Sequence, residues 1–387
     1  MVPAQETSAA VPVTFALSIL CENPLRRTGL TTLFHEFVAH ALRQYPEVSW
    51  LVFAGPNQPW EVADERVAVV REFPANDQRG ARLWADHFCV AASAQARGAA
   101  ALLTVGFVPL RTAGLPVVMH LFSLHHLHGG VGSGAWYRRW AVARGLRRAA
   151  LVIVNSHWTR TQLGAGRSAM RTPVLVSYEG LQHERFRPEA EVGEAAVRAR
   201  VGLPPEYVLW ASNFYDYKRA PLAIAAYARL APEVRERFPL VLVGGDWAGG
   251  RAAAEAAARA AGVERATRFL GWVDDAALPA IYRGARAHVL ATREETFGRS
   301  VVEAMACGCP CVLQDLPVLR EVAADAAVWV NFSDTADAGV ALQRVCTDDL
   351  HAERLRVAGL RRARAFSFET LARERMTAVR EALASRR

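Results

Sequence analysis

Two carboxylates, Glu295 and Glu303, stand eight positions apart in the stretch HVLATREETFGRSVVEAMACGCPCV that begins at His288. The apolar run His288–Ala291 predicts a strand, Thr292–Arg299 a polar loop, and the residues near Val301 a short helix. Ser300 is a natural N-cap, and Glu303 three residues on would complete a capping box. Gly308 and Pro310 then stop the helix. A strand, loop and helix start of this kind directs backbone NH groups into the loop, which suits a phosphate. Both glutamates would reach a ligand whose anionic middle sits on that helix end. The simpler reading makes Glu303 a cap of its own helix and leaves Glu295 solvated.

Other residues with chemistry to offer lie apart from this stretch. Of 46 basic residues, Lys218 is the only lysine, in the loop SNFYDYKRA. One compact ammonium among arginines invites a site-specific account. His120 closes an apolar run and leads into FSLHHLH, giving histidines at 120, 125, 126 and 128. Such a cluster can hold a metal, but it has no carboxylate close in sequence and the chain has no D-x-D. Cys307, Cys309 and Cys311 alternate, and without a nearby fourth ligand they read as small core residues rather than a zinc site. From His87 to Tyr178 there is no Asp or Glu, against ten arginines. A field of one sign calls for an anionic partner: a diphosphate, a nucleic acid or an acidic membrane face.

The elements that must position these groups follow a βα rhythm. Strands are expected at Val13–Leu20, Ser49–Ala54, Ala101–Thr104, Val117–His120, Leu151–Asn155 and Val174–Ser177, with helices between most of them. A charged segment from Pro188 to Pro205 reads as a linker. A second series follows, with strands at Tyr207–Ala211, Leu240–Gly244, Thr267–Leu270 and Ala326–Val330 and helices at Ala220–Leu230, Ala276–Arg283, 335–346 and 350–365. Strands alternating with helices imply parallel sheets, so the chain is α/β with two Rossmann-like domains. The expected divisions are 1–188, a linker 189–205, 206–366, and a final helix over 367–387.

The phrase E-E-T-F-G-R-S-V-V-E-A-M-A-C-G-C-P, Glu294 to Pro310, resembles the nucleotide-sugar signature of retaining glycosyltransferases of family 4 (group 1). The resemblance implies the GT-B architecture: two Rossmann-like domains facing each other across a cleft, the first binding acceptor, with the C-terminal helix crossing back. It also implies roles. Glu295 would orient sugar hydroxyls and Glu303 the donor ribose. Gly298, Arg299 and Ser300 would meet the phosphates through backbone NH groups, and Phe297 would be among the donor-binding residues. Lys218 matches the family lysine on the diphosphate; Asn213 stands where an arginine is common, and Arg219 is its substitute. Backbone at Gly271 to Val273 would read the nucleobase, Gly29 would lie beside the phosphates, and His120 matches a catalytic-pocket histidine, with Leu121 in place of the usual Asp and with His125 and His126 as the alternatives for that role. Ser156 and Gly180 match family landmarks. Implied partners are a nucleoside diphosphate sugar and a saccharide or lipid-linked acceptor, with no nucleic acid, no cofactor and no metal.

At 387 residues and 52% hydrophobic the chain can build two cores. No apolar run approaches the roughly 20 residues that span a bilayer, and the first residues lack a signal-peptide pattern. The expected location is cytoplasmic. The helix within GAWYRRWAVARGLRRAA, Gly134 to Ala150, joins aromatics to arginines and is a candidate for peripheral contact with anionic lipid on the inner face of the membrane. Two other function classes compete. A nucleotide-sugar epimerase of the same fold needs an acid and a base, which the acid-free stretch does not offer; a non-catalytic nucleotide-binding protein would bind donors without releasing nucleoside diphosphate.

Overall fold

The computed structural model describes residues 12–23, 25, 28–123, 134–164 and 172–385. They form two compact units: residues up to Gly180 together with Phe368 onward, and Leu181–Ser367. The helix Phe368–Ala384 is thus part of the first unit. The segment expected to be a linker lies in the second unit and contains a helix, Glu194–Arg200, whose Glu194 pairs with Arg283 at 2.5 Å.

The first unit holds strands β1 (Val13–Ser18), β2 (Val48–Phe53), β3 (Val67–Val70), β4 (Ala99–Val105), β5 (Val117–Leu121), β6 (Leu151–Val154) and β7 (Val174–Val176). They form one parallel sheet in the order β3-β2-β1-β4-β5-β6-β7. Phe34, Phe37 and Val38 of the helix Gly29–Gln44 share one core with Leu371, Met376 and Val379 of the final helix. A separate core with Val90, Val142 and Leu146 includes Leu102, Met119 and Val152 of the sheet. Neighbouring residues of β4, β5 and β6 fall in different cores, as the period-two alternation of strands requires.

The second unit holds β8 (Tyr207–Ala211), β9 (Leu240–Val243), β10 (Thr267–Gly271), β11 (Ala285–Leu290), β12 (Cys311–Gln314) and β13 (Ala327–Val330). They too are parallel, in the order β10-β9-β8-β11-β12-β13. In each sheet the order reverses at one place, between β1 and β4 and between β8 and β11. Open parallel sheets bind ligands outside the carboxyl ends of the strands at such reversal points.

Candidate functional site

The loops that follow β8 and β11 therefore flank the reversal point of the second sheet, and they carry Lys218 and Glu295. The two side chains form an ion pair, each with a side chain 13% exposed. The loops are laced by backbone: the Arg293 amide donates to the Tyr217 carbonyl at 2.7 Å, and the Thr292 hydroxyl reaches the same oxygen at 3.3 Å. Lys218 Nζ also lies 5.2 Å from the ring centre of Tyr217, whose hydroxyl is pushed upward in pKa by burial and then by Glu295. Arg219 turns the chain in a left-handed conformation (φ 49°) and sends its guanidinium to the Ala291 carbonyl at 2.9 Å and to Gln314 Oε1 at 3.0 Å. Its hydrogen bonds thus span the ends of β11 and β12, tying the loop down.

The helix after β11 runs Arg299–Ala306 and is capped differently from the sequence expectation. Gly298, at φ 96°, is its N-cap, so Ser300 lies inside the first turn and no capping box forms. A side chain at Gly298 would be strained in backbone, and its Cβ would stand 2.8 Å from Leu319 Cδ2. Glu303, freed from capping, is 7% exposed. Its carboxylate accepts from the Tyr282 hydroxyl at 3.0 Å and from Arg299 Nε at 3.0 Å. Burial nevertheless raises its pKa, opposed by Arg299 and Tyr282, and the Tyr282 hydroxyl is raised by burial and by Glu303 in turn. Phe297 is buried and packs edge-on against Phe366 at 5.4 Å.

Asn213, expected in the arginine position, serves the backbone. Its Oδ1 accepts from the Gly245 amide at 3.0 Å and from Trp247 Nε1 at 3.2 Å, joining the loops after β8 and β9. Gly244 beside it (φ 150°) has no room for a side chain, since a Cβ would lie 1.7 Å from the Ser212 carbonyl oxygen. Gly271 (φ 71°) accepts at its carbonyl from the Gly244 amide, and Val273 lines a pocket of about 600 Å³ with Trp272, Leu270 and Arg200.

In the first unit, His120 is the penultimate residue of β5 and fully buried, edge-on to Phe34 at 5.1 Å and stacked with Phe122 at 5.6 Å. Burial, then the charge of Arg375, hold its pKa well below the ordinary histidine value. Neither ring nitrogen makes a hydrogen bond of good geometry, although the Thr104 backbone lies alongside. Gly29 opens its helix without special backbone; the cap is Thr28, whose hydroxyl accepts from the Thr31 amide at 3.1 Å. The histidines at 125, 126 and 128 lie outside the described residues. Among the described residues no three His, Cys, Asp or Glu side chains group as metal ligands, and Cys307, Cys309 and Cys311 are buried thiols.

Sequence reasoning passed over an acid cluster at the end of β1. Asp86, just outside the acid-free stretch, is buried, accepting from Arg82 at 2.8 Å and Ser18 at 3.3 Å. Glu22 takes the hydroxyls of Thr28 and Thr31. The basic helix runs Ala135–Arg148 and packs Val142 and Leu146 inward; Gly145 lets it approach Met119, whose Sδ would be 2.4 Å from a Cβ there. Trp136, 70% exposed, shares the outer side with exposed Arg139, Arg147 and Arg148, whereas Arg144 is drawn to the carbonyl of Pro109 at 3.2 Å. No described helix is long and apolar enough to cross a membrane.

Residues 196–362 match the family model for glycosyl transferases group 1. A D-inositol 3-phosphate glycosyltransferase of Streptomyces bingchenggensis (strain BCW-1) is 32% identical over 209 residues, 51% of this chain and 46% of the relative. The chain spans about half the length of such curated relatives. Among solved structures, sucrose-phosphate synthase from Thermosynechococcus elongatus superposes with a TM-score of 0.80 at 21% identity, covering 96% of this chain and 100% of that one. HepE of Anabaena, solved in complex with UDP-glucose, gives 0.70 at 19%, covering 96% and 99%. The architecture is GT-B, with two Rossmann-like domains.

Proposed function

We propose that this chain, whose second unit belongs to the group 1 glycosyl transferases, moves a sugar from a nucleoside diphosphate donor to an acceptor hydroxyl with retention of configuration. The observation that carries the reading is the meeting of Lys218 and Glu295 beside the helix that starts at Gly298, at the reversal point of the second sheet. The UDP-glucose bound to HepE supports a donor of this class. The donor's diphosphate takes the place of Glu295 on Lys218, and Glu295, released, accepts hydrogen bonds from sugar hydroxyls. Gly298 to Ser300 offer the helix start to the phosphates, and Glu303 turns toward the ribose. Lys218 and the helix dipole neutralise the departing diphosphate in place of a metal. His120 belongs to the acceptor side on the first unit, the acceptor is a saccharide or a lipid-linked saccharide, and the chain works in the cytoplasm in glycan, polysaccharide or glycolipid synthesis, meeting a lipid-linked acceptor at the inner face of the membrane.

Screening UDP, GDP, dTDP and ADP sugars by thermal shift tests this. A donor at 100 times its Kd adds about 2.7 kcal/mol to stability. One nucleotide class should raise the melting temperature, and that donor should release nucleoside diphosphate when acceptor is supplied. Binding without release would favour a nucleotide-binding protein, and no shift with any donor would overturn the reading.

A further inference from the structure

The buried face of the final helix is apolar at Phe368, Leu371, Ala372, Met376, Val379 and Ala382, with one exception at the same helical spacing. Arg375 occupies a core position and is 0% exposed. Its Nε reaches Ser177 Oγ at 3.4 Å, while Nη1 and Nη2 have no hydrogen-bond partner. Unpaired charge in a core is costly, and replacing it by an apolar residue of similar volume is often neutral or stabilising. Stability therefore does not account for this side chain.

Its surroundings point to a different role. The guanidinium lies over two rings, Phe37 at 5.7 Å and Phe122 at 5.6 Å. Phe122 is also the ring stacked with His120 at 5.6 Å. Arg375, Phe122 and His120 thus form a chain of contacts from the final helix to the end of β5. Guanidinium–ring attraction is directional and strengthens where water is excluded, so it fixes the Phe122 ring and with it the orientation of the imidazole. Among the described residues, the charges acting here are Arg375, then Glu179, which Asn155 Nδ2 holds at 2.9 Å, and Glu374 on the final helix.

We propose that Arg375 is a positioning residue for His120, acting through Phe122, so that the final helix is a working part of the site on the first unit. The inference rests on the reading of His120 as a site residue. Burial first, and the charge of Arg375 second, hold the imidazole neutral, and Phe122 holds its orientation, the state in which it can accept a proton from, or donate a hydrogen bond to, an acceptor hydroxyl.

The test uses the full chain with Arg375→Met, Arg375→Lys and Phe122→Leu. Histidine-labelled NMR follows His120, assigned through His120→Gln, alongside donor kinetics and melting temperature. For Arg375→Met, the His120 ring signals should move and its titration midpoint should rise. Because small misplacements of a reacting group are costly, kcat should fall about 10- to 100-fold with donor KM unchanged. Its melting temperature should be no lower. Arg375→Lys should keep the midpoint low and recover part of kcat, and Phe122→Leu should shift the His120 signals with Arg375 intact. Unchanged His120 signals in both the Met and Leu variants would overturn the proposal, as would a fall in melting temperature matching the fall in kcat. Should the wild type prove inactive on every donor, the NMR comparison still decides this inference, and only the proposed function fails.

Discussion

The ammonium of Lys218 and the carboxylate of Glu295 are paired across 77 positions of sequence, each supplied by the loop that follows one strand of the β8/β11 reversal point. Both are largely shielded from water, so removing one strands the other. Lys218→Met should cost about 3 kcal/mol of stability, and joining it to Glu295→Leu should restore most of that loss. Urea midpoints for the two singles and the double complete the cycle. The lysine variant should also lose about 2 kcal/mol in kcat/KM, roughly 30-fold, as truncation of a buried charge partner does. Wild-type kinetics in Lys218→Met would remove this pair from the site.

Glu303→Gln separates ligand binding from folding. The folded-state pKa of Glu303 is raised above its usual 4.5, so the native chain holds that proton more tightly than the unfolded one. Its ionisation thus lowers stability as pH rises from about 4.5 through the raised value, and the neutral amide escapes the loss. The variant should melt no lower than wild type at pH 7.5, with the difference shrinking toward pH 4. Donor affinity should fall ~10-fold, since a charged acceptor contributes roughly 1.5 to 3 kcal/mol. A large drop in melting temperature with donor affinity intact would assign Glu303 to the core alone.

His288 predicts an acid-side weakness. Burial, opposed by the Leu209 backbone and joined by the charge of Lys218, brings its pKa from 6.5 to about 4. The unfolded chain takes up that proton first as pH falls, so the stability present above 6.5 is lost on the way down toward 4. His288→Phe, which keeps a ring against Tyr282, should flatten the dependence of the urea midpoint over that window. An unchanged slope would mean that other groups, His120 among them, set the acid limit.

Contact with anionic lipid now has a better-defined test than the sequence offered. Arg144 is tied to the Pro109 carbonyl, while Arg139, Arg147 and Arg148 are exposed beside Trp136. Each basic group near such a surface contributes about 1 kcal/mol. Replacing those three by Gln should therefore weaken flotation with acidic liposomes about 100-fold at low salt. Wild-type chain that stays with the soluble fraction would favour a soluble acceptor.

Turnover is expected to survive EDTA, because the fixed cations Lys218 and the helix start are assigned the charge of the leaving group. Loss restored by Mg²⁺ or Mn²⁺ would give that task to a metal and reopen the role of histidines 120 to 128.

Much of the fold was legible because each strand is a compact apolar run: Tyr207–Ala211 is found where the pattern puts it, and most other strands agree within two residues. Strand β3 was not foreseen, since Val67–Val70 follows a charged stretch, and the helix Gly250–Ala260 has seven alanines in its eleven residues, with no large apolar side chain to mark a stripe. The capping box failed for a local reason: Gly298 in a left-handed conformation starts the helix and leaves Ser300 inside it. What sequence could not supply were pairings made by crossovers, such as Tyr282 with Glu303 or Arg375 with Phe122. Arg375 did leave a trace, as a charge on an otherwise apolar helical stripe.

The first unit is discontinuous, and that has a consequence for biosynthesis. Its sheet is translated first, but Phe368, Leu371, Met376 and Val379, which complete its core, are translated after the whole of the second unit. Domains usually mature in the order in which they leave the ribosome. Here that order is inverted: the stretch Leu181–Ser367 can mature while the earlier sheet, with the helix Gly29–Gln44 on one face, still lacks the apolar residues of the final helix that complete that core, so the oldest part of the nascent chain stays exposed for longest.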